Sequence, residues 1–222
     1  MIDIEPEFKS GLVAFKPLLV VDGVFIPENP LKFLQKGDYK NNINLMIGSV
    51  EDEGSFILSW FVDPVKYSPI NPANLTYSEA YNELIKFSSH LTTNTPINGN
   101  DVAKLYFTGL SDKNCFNLLR RTIGIAIGDY LLGCPTIQFA KTLFENDKKS
   151  NVYQYYFNTK IGAEKLVCAK WMGACHGSDI CPLFGIPFSK FEGHLDRERE
   201  ISSQFIDFVS NFAKTGFESL IY

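Results

Sequence analysis

The 222-residue sequence predicts an α/β protein whose sheet is incomplete. Two short strand-like runs are separated by long stretches of helical periodicity, the pattern of parallel strands joined by helical crossovers. Two strands are too few to complete such a sheet. A stretch of roughly forty residues with no periodic pattern follows the second strand, and inside a compact domain such a segment signals function or burial against something else. The sequence therefore predicts part of a domain, with no repeat, low-complexity tract or linker.

Taken in order, residues 15–38 are punctuated by Pro17, Gly23, Pro27, Pro30 and Gly37 and predict irregular packed structure. Residues 43–50 form a short apolar run that predicts a buried strand, ending at Glu51-Asp52-Glu53 and a turn at Gly54. Helical periodicity begins at Thr76, with Tyr77, Tyr81, Leu84 and Ile85 on one face. Thr76 and Glu79 have the spacing of a capping box. The same threonine completes a glycosylation sequon, Asn74-Leu75-Thr76, and the two readings are compatible. Residues 101–108 predict a short helix, and 111–132 a longer one softly interrupted at Gly124 and Gly128. Pro135 suits the first turn of a further helix to about Asn146. Val152, Tyr153, Tyr155, Tyr156 and Phe157 favour a strand, being β-branched or aromatic. Residues 195–213 predict the last helix, with Ile201, Phe205, Phe208, Val209 and Phe212 on one face and a stop before Gly216.

Composition excludes several classes. Lys+Arg 21 against Asp+Glu 25 leaves a net charge of −4, which offers nucleic acid no basic footprint. No apolar run reaches the ~18 residues of a membrane span, and the N-terminus lacks the basic and apolar regions of a signal peptide. Nineteen Phe and ten Tyr carry too much apolar surface for a disordered chain. The five cysteines include no Cys-x-x-Cys pair for a metal or redox site, and the odd count points to a free thiol or an absent partner.

Two segments could carry chemistry. Glu51-Asp52-Glu53-Gly54-Ser55-Phe56 stands at the C-terminal end of a predicted strand, where open α/β sheets place ligand and catalytic groups, although on spacing alone it reads as an acidic turn facing water. In Trp171-Met172-Gly173-Ala174-Cys175-His176-Gly177-Ser178-Asp179 a histidine lies between small residues. A lone histidine is usually structural or merely exposed, but the flanking glycines leave room for a ligand, and imidazole suits general-base work at neutral pH. His90 and His194 lack that setting and read as surface residues. A base needs a nucleophile, and Gly-x-Ser-x-Gly does not occur in the chain. Gly173-x-Cys175-x-Gly177 resembles a cysteine elbow, yet Cys175 and His176 are adjacent and their side chains diverge. A cysteine hydrolase is disfavoured, and no Gly-Gly pair supplies an oxyanion segment.

Five stretches in order, residues 20–27 (Val-Val-Asp-Gly-Val-Phe-Ile-Pro), 46–56, 171–179, 183–187 (Leu-Phe-Gly-Ile-Pro) and 211–216 (Asn-Phe-Ala-Lys-Thr-Gly), resemble the type-B carboxylesterase/cholinesterase family. The resemblance covers essentially the whole chain but only the C-terminal part of the family's domain. It implies that residues 1–222 are the C-terminal portion of an α/β-hydrolase fold, with an incomplete sheet and packed helices, lacking the N-terminal part that bears the nucleophile. It further implies that Glu53 is the acid and His176 the base of a Ser-His-acid triad. By the same resemblance Phe56 lines the substrate gorge, and Asp179 supports the histidine loop from a buried position. Their expected geometry is a Glu53 carboxylate within hydrogen-bond reach of an imidazole nitrogen of His176.

The resemblance implies a serine carboxylic-ester hydrolase with a small-molecule ester as substrate and neither metal nor organic cofactor, secreted in its parent form and inactive without the missing part. A non-catalytic, cholinesterase-like adhesion domain is the alternative, although a scaffold has no physical need for the acid and base. Cys134 matches a cysteine whose family partner lies beyond Tyr222. Ser178 and Ile57 replace aromatic residues common in cholinesterases, which favours a general carboxylesterase. No sequence feature speaks to oligomeric state.

Overall fold

The computed structural model describes residues 21–89, 97–161, 168–189 and 195–217. In chain order its elements are α1 (Pro30–Lys36), β1 (Asn44–Val50), α2 (Glu53–Ile57), α3 (Tyr77–Ser89), α4 (Gly99–Tyr106), α5 (Phe116–Gly128), α6 (Cys134–Asn146), β2 (Asn151–Phe157), α7 (Ile180–Leu183) and α8 (Asp196–Thr215). β1 and β2 pair in parallel, Asn44 opposite Asn151 through Val50 opposite Phe157, and form a two-stranded sheet. The strands thus lie within a residue of their predicted positions.

Side-chain alternation along β2 decides what covers each face. Tyr153, Tyr155 and Phe157 point to α8, where Phe212 and Phe205 meet them at ring-centroid separations of 5.5–5.7 Å. The other face meets α6 only in part, leaving Gln154 and Tyr156 exposed. The apolar face predicted for the last helix is therefore the face that packs on the sheet. The main core lies under the crossover helices, with Leu58, Leu84, Phe107, Leu119, Ile123 and Ile127 fully or almost fully buried. At the start of α3 the capping box forms as its spacing predicts: Thr76 N–H donates to Glu79 Oε2 at 2.8 Å and Glu79 N–H donates to Thr76 Oγ1 at 3.3 Å.

Several elements correct the expectation. Within the stretch expected to be irregular, α1 forms because its Pro and Gly act as helix boundaries. Asn29 Oδ1 accepts from Leu31 N–H as N-cap, Pro30 takes the first turn, and Gly37 closes the helix in a left-handed C-cap. Gly54 is not a turn residue but part of α2, and Gly124 and Gly128 do not interrupt α5. The three are where the two helices touch: a Cβ on Gly54 would lie 2.0 Å from the Gly124 carbonyl oxygen, and one on Gly128 would lie 2.5 Å from the Gly54 nitrogen. Only glycine permits that approach.

The two helices predicted over 111–132 and 135–146 are joined by a wider π-helical turn, Asp129–Gly133, into one helix. By length and composition this helix, residues 116–146, could cross a bilayer, whereas no single apolar run suggested it. Its apolar residues Leu119, Ile123 and Ile127 lie in the core, and Arg121 and Asp129 are held by ion pairs or hydrogen bonds to α2-side and α4 residues. The stretch after β2 is not structureless either. Its described part contains α7 and a 3₁₀ turn at Ile186–Phe188, and the Ser202 hydroxyl of α8 donates to the Pro182 carbonyl.

Candidate functional site

The site assembles at the C-terminal end of β1, as the rule for open α/β sheets anticipates. β1 stops at Val50, and α2 begins three residues later with Glu53 in its first turn. The tight connection turns the Glu53 carboxylate back over the strand end, where Oε1 accepts from the Val50 N–H at 2.9 Å. Oε2 lies 2.6 Å from His176 Nδ1. A carboxylate only accepts, so Nδ1 carries the proton and donates it. Both carboxylate oxygens are therefore engaged, one by backbone and one by imidazole. The Glu53 side chain is 11% exposed and that of His176 49%: the acid is sheltered and the base faces out. The hydrogen bond that His176 donates to Glu53 raises the imidazole pKa above its ordinary value. Partial burial opposes this, and the negative charges of Glu53 and Asp179 add to it.

The three neighbouring acids have three different fates, and this corrects the reading of the cluster as a water-facing turn. Asp52 is fully buried. Its Oδ2 accepts from the Gly173 N–H at 2.7 Å and from Arg121 Nε at 3.1 Å, and its Oδ1 accepts from the Ser55 hydroxyl at 2.5 Å. Glu51 completes the network by pairing with Arg121 Nη2 at 2.6 Å. The Asp52 backbone N–H donates to the Ala174 carbonyl at 2.9 Å, and Asp52 and Cys175 form a parallel β-bridge. Asp52 thus fastens the histidine loop to the start of α2. Sequence reasoning missed Asp52 and Arg121; the available signal was a pair of arginines, 120 and 121, inside an otherwise apolar helix.

The glycines beside His176 also read differently in three dimensions. A Cβ on Gly173 would lie 2.1 Å from Arg121 Nη2 and 2.8 Å from Glu51 Oε2, so that space holds the ion pair rather than a ligand. Gly177 adopts φ +81°, and with the Ser178 N–H to Cys175 carbonyl bond it turns the chain at the histidine. Phe56 stands beside the imidazole, its ring centroid 5.8 Å from that of His176. Asp179 is half-buried rather than buried, and accepts from the Tyr155 hydroxyl of β2 at 2.9 Å. His90 and His194 lie outside the described residues.

Cys175 is not a thiol. It is bonded to Cys168, both sulfurs lying in the core with Trp171 and Met172. The Gly-x-Cys-x-Gly segment is therefore no nucleophile elbow, and the odd cysteine count hid one intrachain pair. Cys115, Cys134 and Cys181 are free. A cleft of about 300 Å³ opens beside Glu53 between the sheet, α5 and α6, lined among others by Val50, Ile125 and Tyr156. His176 does not line it, so it is not where the imidazole would meet a substrate. Among the described residues no three His, Cys, Asp or Glu side chains converge as metal ligands.

The site is thus an acid–histidine pair at the strand end of a small parallel sheet. The sequence profile of the carboxylesterase family matches residues 3–220, and the chain belongs to that family. It is 28% identical over 207 residues to an acetylcholinesterase of Leptinotarsa decemlineata, covering 93% of this chain and 31% of that protein. It is 29% identical over 211 residues to an acetylcholinesterase of Bungarus fasciatus (93% and 32%). With an acetylcholinesterase of Electrophorus electricus the identity is 26% over 234 residues (93% and 36%). The chain spans about a third of the length of the curated relatives it matches.

Proposed function

We propose that this chain is the C-terminal portion of an α/β-hydrolase domain that hydrolyses carboxylic esters, with Glu53 as triad acid and His176 as triad base. The observation that carries the reading is the 2.6 Å contact between Glu53 Oε2 and His176 Nδ1 at a strand end. Glu53 fixes the tautomer in which Nδ1 bears the proton, leaving Nε2 to take the proton of a serine hydroxyl as its oxygen attacks the ester carbonyl. The resulting imidazolium, stabilised by Glu53, returns that proton to the departing alcohol. Water then repeats the sequence on the acyl-enzyme. Phe56, against the imidazole, forms the apolar wall for the substrate, and Asp179 steadies the loop through Tyr155. The acid–base contact has no use in a pure interaction domain.

The nucleophile and oxyanion donors belong to a part of the protein outside these 222 residues, which contain no Gly-x-Ser-x-Gly. The parent protein is secreted: a core disulfide suits an oxidising compartment, and Asn74 of the sequon is exposed. The chain by itself should hydrolyse simple aryl esters no faster than free imidazole and should not react with a fluorophosphonate probe. Stoichiometric labelling of one serine, abolished by His176→Ala, would overturn the assignment of the nucleophile elsewhere. Joined to an upstream carboxylesterase segment carrying Gly-x-Ser-x-Gly, the chain should confer turnover that Glu53→Gln lowers by roughly 10⁴-fold in kcat, the loss seen when a triad acid becomes an amide. An unchanged kcat would remove Glu53 from the triad.

A further inference from the structure

We propose that the Cys168–Cys175 disulfide is a positioning clamp for His176, a reading that rests on the acid–base pair above. Cys175 bridges Asp52, and His176 follows it directly as the first inner residue of the turn closed by the Ser178 N–H to Cys175 carbonyl bond. The two side chains diverge, that of Cys175 fully buried and that of His176 half exposed. A tie that holds the Cys175 side chain inward therefore helps hold the His176 side chain outward.

The disulfide does this covalently. Cys175 is fully buried, and its partner Cys168 is anchored in the core cluster with Trp171, whose indole N–H donates to the Ser68 carbonyl. On the far side of Cys175, His176 projects toward Glu53 and the Phe56 ring. The noncovalent ties, Asp52 N–H to Ala174 and Gly173 N–H to Asp52, hold the backbone of the loop on the N-terminal side of Cys175. The Asp52–Cys175 bridge pins the backbone at residue 175 itself, and the disulfide adds the covalent tie on its side chain. After the histidine the nearest side-chain tie is Asp179 to Tyr155, three residues on and across the left-handed Gly177. Among the described residues the disulfide is thus the covalent side-chain tie next to His176 in the chain.

The test reads His176 itself. The charged groups that face it are Glu53 and Asp179, and the hydrogen bond it donates to Glu53 places its midpoint above the ordinary value of about 6.5. Imidazole signals of His176 are titrated by NMR in the 222-residue chain, in Cys168→Ala/Cys175→Ala, and in Tyr155→Phe, with far-UV circular dichroism as the folding control. The clamp predicts a raised midpoint in the unaltered chain and in Tyr155→Phe, and a fall to about 6.5 in the double variant. A merely structural disulfide would lower the melting temperature and leave the midpoint of the folded double variant raised, which overturns the clamp alone. Should the double variant not fold, Tyr155→Phe decides: a raised midpoint supports the clamp, and a fall to about 6.5 transfers its role to Asp179 and overturns it. A midpoint of about 6.5 in the unaltered chain overturns both the clamp and the acid–base pair.

Discussion

Replacing Asp52 by alanine is the most severe single test of how the site is built. The carboxylate has no solvent exposure, and three donors converge on it: Arg121 Nε, the Gly173 N–H and the Ser55 hydroxyl. Asp52→Ala leaves two neutral donors without partner and removes one carboxylate from a buried ion pair. Losing one member of a buried pair costs about 3–5 kcal/mol. Arg121 keeps Glu51 at 2.6 Å and its side chain is a quarter exposed, so the low end, about 3 kcal/mol, applies. With a urea slope of about 2 kcal/mol per molar, the unfolding midpoint should fall by about 1.5 M at unchanged slope. Asp52→Asn retains the volume and most hydrogen bonds and should lose less. The assay is equilibrium urea unfolding followed by circular dichroism. A loss under about 0.5 kcal/mol, ordinary for a surface substitution, would refute the claim that Asp52 fastens the histidine loop to α2.

Gly124→Ala would put a Cβ 2.3 Å from the Ser55 hydroxyl and 2.9 Å from its Cα, so α2 and α5 must part. The expected cost is at least the ~1–3 kcal/mol of an overpacked core, read as a lower urea midpoint. The contact between His176 and Glu53 gives stability a pH dependence. Because the folded-state pKa of the imidazole is raised, its contribution is fully present below about 6.5 and is lost as pH rises through the folded value. Urea midpoints compared at pH 6 and pH 8.5 should show that decline in the unaltered chain and lack it in Glu53→Gln.

Much of the scaffold was legible because it depends on local pattern. A short apolar run and a β-branched, aromatic run locate the two strands, period-3.6 spacing locates α8, and Thr76 with Glu79 marks the start of α3. Glu53 and His176 were legible only through family resemblance; spacing alone gave both a blander reading. What escaped depends on contacts between residues far apart in sequence. Glu51, Asp52 and Glu53 are chemically alike, and their separate fates are decided by Arg121, Gly173 and His176. The Cys168–Cys175 pairing requires two Cα atoms brought to 5.7 Å, which cysteine spacing does not encode. Gly54, Gly124 and Gly128 resemble punctuation in one dimension and are a helix crossing in three. Pro30 and Gly37 are the converse case: in one dimension they resemble breakers of structure, and in three they bound the short helix α1.

The central claim, that Glu53 holds His176 as a poised base, is tested most directly by titrating the His176 imidazole in the 222-residue chain and in Glu53→Gln. The 2.6 Å contact predicts a midpoint above the ordinary histidine value in the unaltered chain and a lower midpoint in the variant. The same midpoint in both proteins would contradict the account, because His176 would then not be held by Glu53.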